Sequence, residues 1–121
     1  MSQQGLSESI EISVVMPCLN EAETLKLCIS KALSCLRENK VTGEVVVADN
    51  GSTDNSKQIA ESAGARVVLA KSKGYGNALI EGINSVNTKY FCIFNADGSF
   101  DPKYLTRMLQ ECENNDYVFA S

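Results

Sequence analysis

Side chains able to bind cations, phosphates or bases fall into four short segments of the chain. Each segment follows a run of apolar residues, and the segments cover 17–21, 49–52, 71–76 and 95–99. In the last of them, Asn95 and Asp97 carry side-chain oxygens two residues apart. That spacing lets both oxygens reach one hard cation, with a diphosphate filling the remaining coordination positions. Asn-x-Asp is also a frequent turn sequence, so the pattern predicts either a cation site or a turn.

The composition excludes several other kinds of site. The chain of 121 residues has no histidine, which rules out Ser-His-Asp, Cys-His and His-ligated metal chemistry within it. The net charge of −4 disfavours a nucleic-acid partner. The Gly74-x-Gly76 turn lacks the third glycine of a dinucleotide fingerprint, and no P-loop sequence is present. The five cysteines form no Cys-x-x-Cys pair, so we expect buried free thiols in a reducing compartment.

The elements that must position these segments alternate between strands and helices. The predicted strands are uninterrupted apolar runs, which is typical of strands buried on both faces of a parallel sheet. We therefore predict an α/β fold with a mostly parallel sheet sandwiched by helices. It forms one domain over 10–121, after a flexible tail over 1–9. The predicted strands are 10–16, 44–48, 66–70, 90–94 and a fifth that begins over 117–120.

Turn and capping residues predict where the four helices begin and end. The first helix is predicted to begin after Asn20, which forms a capping box with Glu23, and the second after Thr53 or Asp54. The third begins at the turn over 74–76, and the fourth begins at Pro102 after its cap Asp101. The first three helices are expected to end near Asn39, at Ala63 before Gly64, and near Val86.

All four polar segments follow the carboxyl ends of predicted strands, which meet at one edge of a parallel sheet. Ligands of open α/β sheets bind at this edge, where the strand order reverses. We therefore expect Glu21, Asp49 and Asp97 to converge there, around a nucleotide or another phosphorylated ligand. The alternative is that these residues only cap helices and form turns.

Taken together, the four segments resemble the family-two glycosyltransferases of the Rossmann-like GT-A fold. The resemblance is greatest to the hexosyltransferases that load a sugar onto polyprenyl or dolichyl phosphate. It covers nearly the whole chain after the tail, and four motifs in order are far more specific than any one alone. The motifs are VVMPCLNEAETL (14–25), VVVADNGSTDNS (45–56), KGYGNALIEGI (73–83) and FNADGSFDPKYL (94–105).

For the nucleotide, the resemblance implies a UDP- or GDP-sugar donor. Pro17, Leu19 and Glu21 would line the base and ribose, although Leu19 replaces an aromatic residue often found there. Asp49 would accept a hydrogen bond from an imide N–H of the base. Uracil and guanine carry such a ring donor and adenine does not, which disfavours an ATP ligand.

For the diphosphate, the resemblance implies a Mg²⁺ or Mn²⁺ cofactor held by a motif that is usually Asp-x-Asp. Here it is Asn95-Ala96-Asp97, so the site has one negative charge fewer and Asp97 must dominate. Lys73 and Gly74 would lie near the diphosphate, although a solvated lysine is an equal alternative.

The implied reaction is glycosyl transfer with inversion, and an ionised lipid phosphate acceptor would need no catalytic base. The sequence identifies no catalytic residue. We expect the chain to be the donor-binding part of such an enzyme, because family members continue beyond the strand over 117–120. Alone, it should bind nucleotide weakly, transfer little sugar and self-associate through its incomplete sheet.

Two other classes of protein compete with this interpretation. One is a non-catalytic nucleotide-sugar-binding or interaction module that keeps the fold. The other is a nucleotidyltransferase, which would need a glycine-rich basic loop where 17–20 stand. No apolar run approaches the ~20 residues of a membrane span, and the start of the chain is unlike a signal peptide. We expect a cytoplasmic protein that acts, in a longer natural form, at the cytoplasmic face of a membrane.

Overall fold

A computed structural model describes residues 11–112 of the chain, and their fold is the predicted α/β class. The four described strands are parallel and lie in the order β3-β2-β1-β4. The tail expected over 1–9 and the strand expected over 117–120 lie outside the described residues. The strands are β1 (Ile12–Cys18), β2 (Gly43–Asp49), β3 (Arg66–Leu69) and β4 (Tyr90–Ile93), and the helices are α1 (Ala22–Glu38), α2 (Ser56–Ser62), α3 (Tyr75–Asn84) and α4 (Pro102–Cys112).

The helices cover both faces of the sheet, as predicted. Helices α1, α2 and α4 share one face, where they enclose the main hydrophobic core with the inward side chains of β1 and β2. Helix α3 packs on the other face against β1, β2 and β3. This division follows from the strand order, because α3 connects the β3 edge back to β4, opposite to the direction of the first two crossovers.

Strand β1 is central and every residue in it is buried. It extends one residue past Pro17, whereas the sequence predicted a strand that ends at Met16. A proline fits here because its missing N–H is on the side of β4, and β4 has already ended opposite Val15. The last sheet hydrogen bond on that side is donated by the Phe94 N–H to the Val15 carbonyl, at 3.0 Å.

Helix α3 lies very close to the sheet at Gly82. A Cβ built on Gly82 would stand 2.8 Å from Val15 Cγ1 and 3.1 Å from Ala48 Cβ. Neither neighbour can turn aside easily, because valine is stiff at χ1 and the alanine methyl is fixed to the backbone. The glycine therefore sets how closely α3 approaches β1 and β2.

Two of the predicted helix starts are wrong. Helix α1 begins at Ala22, and Glu21 before it makes no side-chain capping bond within the described chain, so the Asn20–Glu23 capping box does not form. Helix α2 begins at Ser56, after Asn55. The Asp54 carboxylate does accept a hydrogen bond from the Ser56 N–H at 2.9 Å. Local sequence predicted the caps, but contacts between loops determine where both helices start.

The other predicted helix ends are close to those observed. The Asp101 carboxylate accepts a hydrogen bond from the Lys103 N–H at 2.9 Å, as expected of a cap before α4. Gly64 has a φ of +103°, the left-handed conformation that favours glycine after a helix. Helix α3 ends at Asn84, two residues before the predicted Val86.

The prediction of buried, free thiols is confirmed for the four cysteines whose side chains are described. Cys18, Cys28, Cys35 and Cys92 are free and buried. Cys28 and Cys35 both lie on the core face of α1, as their spacing of seven residues predicts. The side chain of Cys112 lies outside the described residues.

Candidate functional site

A cleft of about 230 Å³ lies at the carboxyl ends of β1 and β4, where the strand order reverses. This is the edge at which the sequence predicted a ligand. Six of the nine predicted site residues line the cleft, and four further residues complete its wall. The predicted ones are Pro17, Leu19, Glu21, Asn95, Ala96 and Asp97, and the additional ones are Cys18, Asn50, Tyr75 and Ala78.

Three predicted site residues do not line the cleft. Asp49 is only 4% exposed, and both of its carboxylate oxygens accept hydrogen bonds from Ser52. The bond from the Ser52 N–H is 3.2 Å long, and the Ser52 hydroxyl binds the other oxygen. Lys73 and Gly74 are exposed and come directly before Tyr75, which does line the cleft.

Asn20 joins the loop after β1 to the loop after β2. Its φ of +53° is left-handed, whereas a helix N-cap residue has an extended backbone. The Asn20 amide oxygen accepts hydrogen bonds from the Thr53 N–H at 2.8 Å and the Asp54 N–H at 3.3 Å. In return, the Asn20 N–H donates to the Ser52 hydroxyl at 2.9 Å. The two loops are thereby held in one register.

The first N–H groups of α1 are also bound by the second loop. The Glu21 N–H donates to the Ser56 hydroxyl and the Ala22 N–H donates to the Asp54 carboxylate, both at 3.2 Å. These N–H groups have no partner inside the helix, so a neighbouring loop supplies the cap that the sequence assigned to Asn20. Both bonds fix Glu21, which faces the cleft.

Two further hydrogen bonds connect the loops after β2, β3 and β4 around the cleft. The Asn50 amide oxygen accepts from the Gly74 N–H at 3.0 Å, which joins the loops after β2 and β3. The Tyr75 hydroxyl donates to the Asn95 amide oxygen at 2.8 Å, which joins the loops after β3 and β4.

The fourth loop is joined to the first by Thr24, in the first turn of α1. The Thr24 hydroxyl donates to the Ala96 carbonyl at 2.5 Å. With the bonds of Asn20, Asn50 and Tyr75, this contact closes a ring of four mutually connected loops. The ring positions the cleft-lining side chains relative to one another, although they come from distant parts of the chain.

The Asn95–Asp97 pair offers two oxygen ligands on the exposed rim of the cleft. Hydrogen bonds from the hydroxyl and then the N–H of Ser99 hold the pKa of Asp97 below its ordinary value, so Asp97 is ionised at neutral pH. Among residues 11–112, no three His, Cys, Asp or Glu side chains form a group that could hold a metal. One carboxylate and one amide oxygen suit a hard cation that takes its other ligands from phosphates and water.

Cys18 contributes a thiol to the cleft that is not chemically activated. Burial raises the pKa of the Cys18 thiol, so it stays protonated at neutral pH. We therefore assign it no nucleophilic role, in agreement with the sequence-based interpretation.

The four additional cleft residues differ in how readily the sequence could have shown them. Asn50 directly follows Asp49 in the second segment, and Tyr75 stands inside the Gly74–Gly76 turn, so both belong to segments already recognised. Ala78 is buried on α3 and gave no signal in its residue type. Only the packing of α3 on the sheet brings Tyr75 to Asn95.

The parallel sheet, its 3-2-1-4 strand order and the cleft at the reversal are Rossmann-like, and similarity to solved glycosyltransferases shows that the fold is GT-A. Residues 13–121 match the model of glycosyl transferase family 2, and the chain belongs to that family. The resemblance inferred from the four motifs is thereby confirmed.

Relatives in sequence include sugar transferases. The chain is 37% identical to the low-salt glycan biosynthesis hexosyltransferase Agl6 of Haloferax volcanii over 109 residues, 90% of this chain and 26% of that protein. It is 27% identical to undecaprenyl-phosphate 4-deoxy-4-formamido-L-arabinose transferase of Photorhabdus laumondii over 110 residues, 85% of this chain and 34% of that protein.

Among solved structures, the chain is similar to Mycobacterium tuberculosis glucosyl-3-phosphoglycerate synthase in complex with Mn²⁺ and UDP-glucose. The TM-score is 0.73 at 27% identity, covering 87% of this chain and 40% of that one. The chain thus spans less than half the length of each of these three proteins. Within residues 11–112, no helix is long and apolar enough to span a membrane.

Proposed function

We propose that the cleft binds a nucleoside-diphosphate sugar and that the chain is the donor-binding part of an inverting, metal-dependent glycosyltransferase. The observation that carries this proposal is the position of Asn95 and Asp97. Their oxygens lie on the rim of a cleft at the strand-order reversal, where α/β folds bind nucleotides. The similarity to a synthase crystallised with Mn²⁺ and UDP-glucose supports the same ligand class.

The nucleotide base and ribose are assigned to the wall formed by Pro17, Leu19 and Glu21. We propose that Asp49 reads an imide N–H of uracil or guanine. Its carboxylate already binds Ser52, but each carboxylate oxygen can accept a second hydrogen bond. Asn50, the next residue, lies at the cleft wall and extends the polar surface available to the base.

The diphosphate is assigned to the other end of the cleft, beside Asn95 and Asp97. Asp97 is the main protein ligand for Mg²⁺ or Mn²⁺, because it is the only carboxylate of that motif, and the Asn95 oxygen is the second. A cation held by these two residues would supply positive charge against the negative charge that develops on the leaving nucleoside diphosphate. The amino end of α3 at Gly74 adds a positive helix-dipole end on the same side, close to Lys73.

The proposed acceptor is a polyprenyl or dolichyl phosphate, which attacks the anomeric carbon from the face opposite the nucleotide. The similarity to an undecaprenyl-phosphate sugar transferase supports this acceptor class. A phosphate oxygen is already ionised at neutral pH, so the reaction needs no base from the protein. We place the reaction at the cytoplasmic face of a membrane in a longer form of the protein.

The donor site is tested by calorimetry with UDP- and GDP-sugars, with and without Mn²⁺. Asp97→Ala should abolish the metal-dependent part of nucleotide binding, and Asn95→Asp should strengthen it by restoring a second carboxylate. Glu61→Ala removes one exposed carboxylate from α2, away from the cleft, and is the matched control. Wild-type affinity of Asp97→Ala for both Mn²⁺ and nucleotide would show that the site assignment is wrong.

Sugar transfer is tested separately, with Mn²⁺ and a short polyprenyl phosphate. The 121-residue chain should bind nucleotide weakly, form little or no glycolipid and show some self-association. The longest natural form should transfer sugar to the polyprenyl phosphate over many turnovers. Nucleotide-sugar binding without turnover by that longest form would favour the alternative, a non-catalytic binding module that keeps the fold.

A further inference from the structure

Tyr75 is an exposed aromatic residue at the amino end of α3 that reaches across the cleft. The residue is 55% exposed, and its hydroxyl donates a hydrogen bond to the Asn95 amide oxygen at 2.8 Å. This bond is the direct side-chain link between the loop after β3 and the loop of the cation motif. Nothing in the hydrophobic core requires a tyrosine at this position, since the ring points to solvent and to the cleft.

The asparagine at position 95 creates an orientation problem that an aspartate would not have. A carboxylate presents two equivalent oxygens, so either rotamer offers an oxygen to a cation. A carboxamide presents one oxygen and one NH₂ group, and a half-turn about its last bond directs the NH₂ toward the cation instead. Asn95 is therefore a good ligand only when something selects one of its two orientations.

The Tyr75 hydroxyl can make that selection. It donates to the amide oxygen, and a phenol is a better donor than acceptor because its lone pair is delocalised into the ring. The half-turned carboxamide would exchange this bond for a weaker one. The amide oxygen has a second lone pair, so it can accept from Tyr75 and bind a cation at the same time.

The position of Tyr75 is itself well defined. Helix α3 packs tightly on the sheet at Gly82, and the Gly74 N–H is bound by the Asn50 side chain at 3.0 Å. The backbone of α3 is thus held near both of its ends, and Tyr75 is its first residue. A hydrogen-bonding partner of a metal ligand acts through such a fixed orientation.

We propose that Tyr75 is a positioning residue that orients the Asn95 carboxamide with its oxygen toward the cation. The inference rests on the proposed donor site, of which it explains one feature: how a motif with an asparagine in place of its first aspartate retains two oxygen ligands. Tyr75 does not itself contact the reacting atoms.

The test measures Mn²⁺ affinity of the purified chain in the presence of UDP by the loss of the free-ion electron paramagnetic resonance signal. Tyr75→Phe removes the hydroxyl and keeps the ring. We expect Mn²⁺ affinity to fall about tenfold, the lower end for loss of a partner that orients a metal ligand. The affinity for UDP without metal should fall less than the Mn²⁺ affinity. Tyr104→Phe removes the hydroxyl of another exposed tyrosine, on α4, and is the matched control.

The decisive comparison adds Asn95→Asp. In that background the two oxygens are equivalent, so adding Tyr75→Phe should no longer lower Mn²⁺ affinity. A merely structural role for Tyr75 would instead lower metal-free UDP affinity as much as Mn²⁺ affinity, and the loss of Mn²⁺ affinity would persist beside Asn95→Asp; that result would overturn the inference. Unchanged Mn²⁺ affinity of Tyr75→Phe would overturn it while leaving the donor site intact. A wild-type chain that binds UDP but no Mn²⁺ would overturn both this inference and the proposed metal site.

Discussion

Replacing Asn20 tests whether contacts between loops build the site. Asn20→Ala removes the acceptor for the Thr53 and Asp54 N–H groups. It also places alanine, whose side chain makes no hydrogen bond, at a left-handed φ of +53°. Two exposed hydrogen bonds are worth about 0.5–1 kcal/mol each, the low end of the usual range. The left-handed backbone costs alanine roughly 1–2 kcal/mol. We therefore expect a loss of about 2–4 kcal/mol in the free energy of unfolding.

Two comparison variants separate the two contributions. Asn20→Gly also removes the acceptor but accepts the left-handed backbone, so it should lose only about 1–2 kcal/mol. Asn20→Asp keeps an acceptor oxygen in place and should stay closest to wild type. The assay is urea denaturation followed by circular dichroism, with UDP affinity measured on each variant under conditions where it is folded.

The expected order of stability is wild type, Asn20→Asp, Asn20→Gly and Asn20→Ala. UDP affinity should fall in both Asn20→Gly and Asn20→Ala, because both remove the side-chain hydrogen bonds that join the loop before Glu21 to the loop after β2. The reasoning would be refuted if Asn20→Ala were as stable as wild type, or if both variants lost stability while UDP affinity stayed the same.

Two further substitutions test the base site and the seating of α3. Asp49→Ala should weaken binding of the preferred nucleotide by ten- to a hundredfold, about 1.5–3 kcal/mol, by calorimetry, and unchanged affinity would remove Asp49 from the site. Gly82→Ala should be about 1–3 kcal/mol less stable in urea denaturation than Gly76→Ala, its control on the same helix. The new methyl group at position 82 meets Val15 and Ala48, whereas a methyl group at position 76 has nothing within 4 Å. Equal stabilities of the two variants would contradict the packing argument.

The strands and the class of fold could be predicted from sequence because their signal is local. Buried strands of a parallel sheet are continuous apolar runs, and β1 and β2 are such runs. The predicted strand ends differ from the observed ones by one or two residues. Pro17 illustrates the limit, since it ends a strand by local rules but is tolerated where the neighbouring strand has stopped.

The starts of α1 and α2 could not be predicted in the same way. Asn20 and Glu23 satisfy every local requirement of a capping box, yet the Asn20 side chain binds the second loop and the second loop caps α1. Hydrogen-bond partners 32 or 33 residues away in the chain replace the local partners that a capping box would use. A short-range pattern cannot rank the two, because it contains no information about which loops become neighbours.

The sequence alone determined the order of strands and helices, the parallel sheet and the placement of polar segments at strand ends, because apolar runs and turn residues act over a few positions. The tertiary structure decided which of those polar residues share a cleft. It turned Asp49 toward Ser52, brought Asn50 into the wall and set Tyr75 against Asn95. Strand order and the close packing of α3 at Gly82 bring these side chains together, and both depend on contacts between distant parts of the chain.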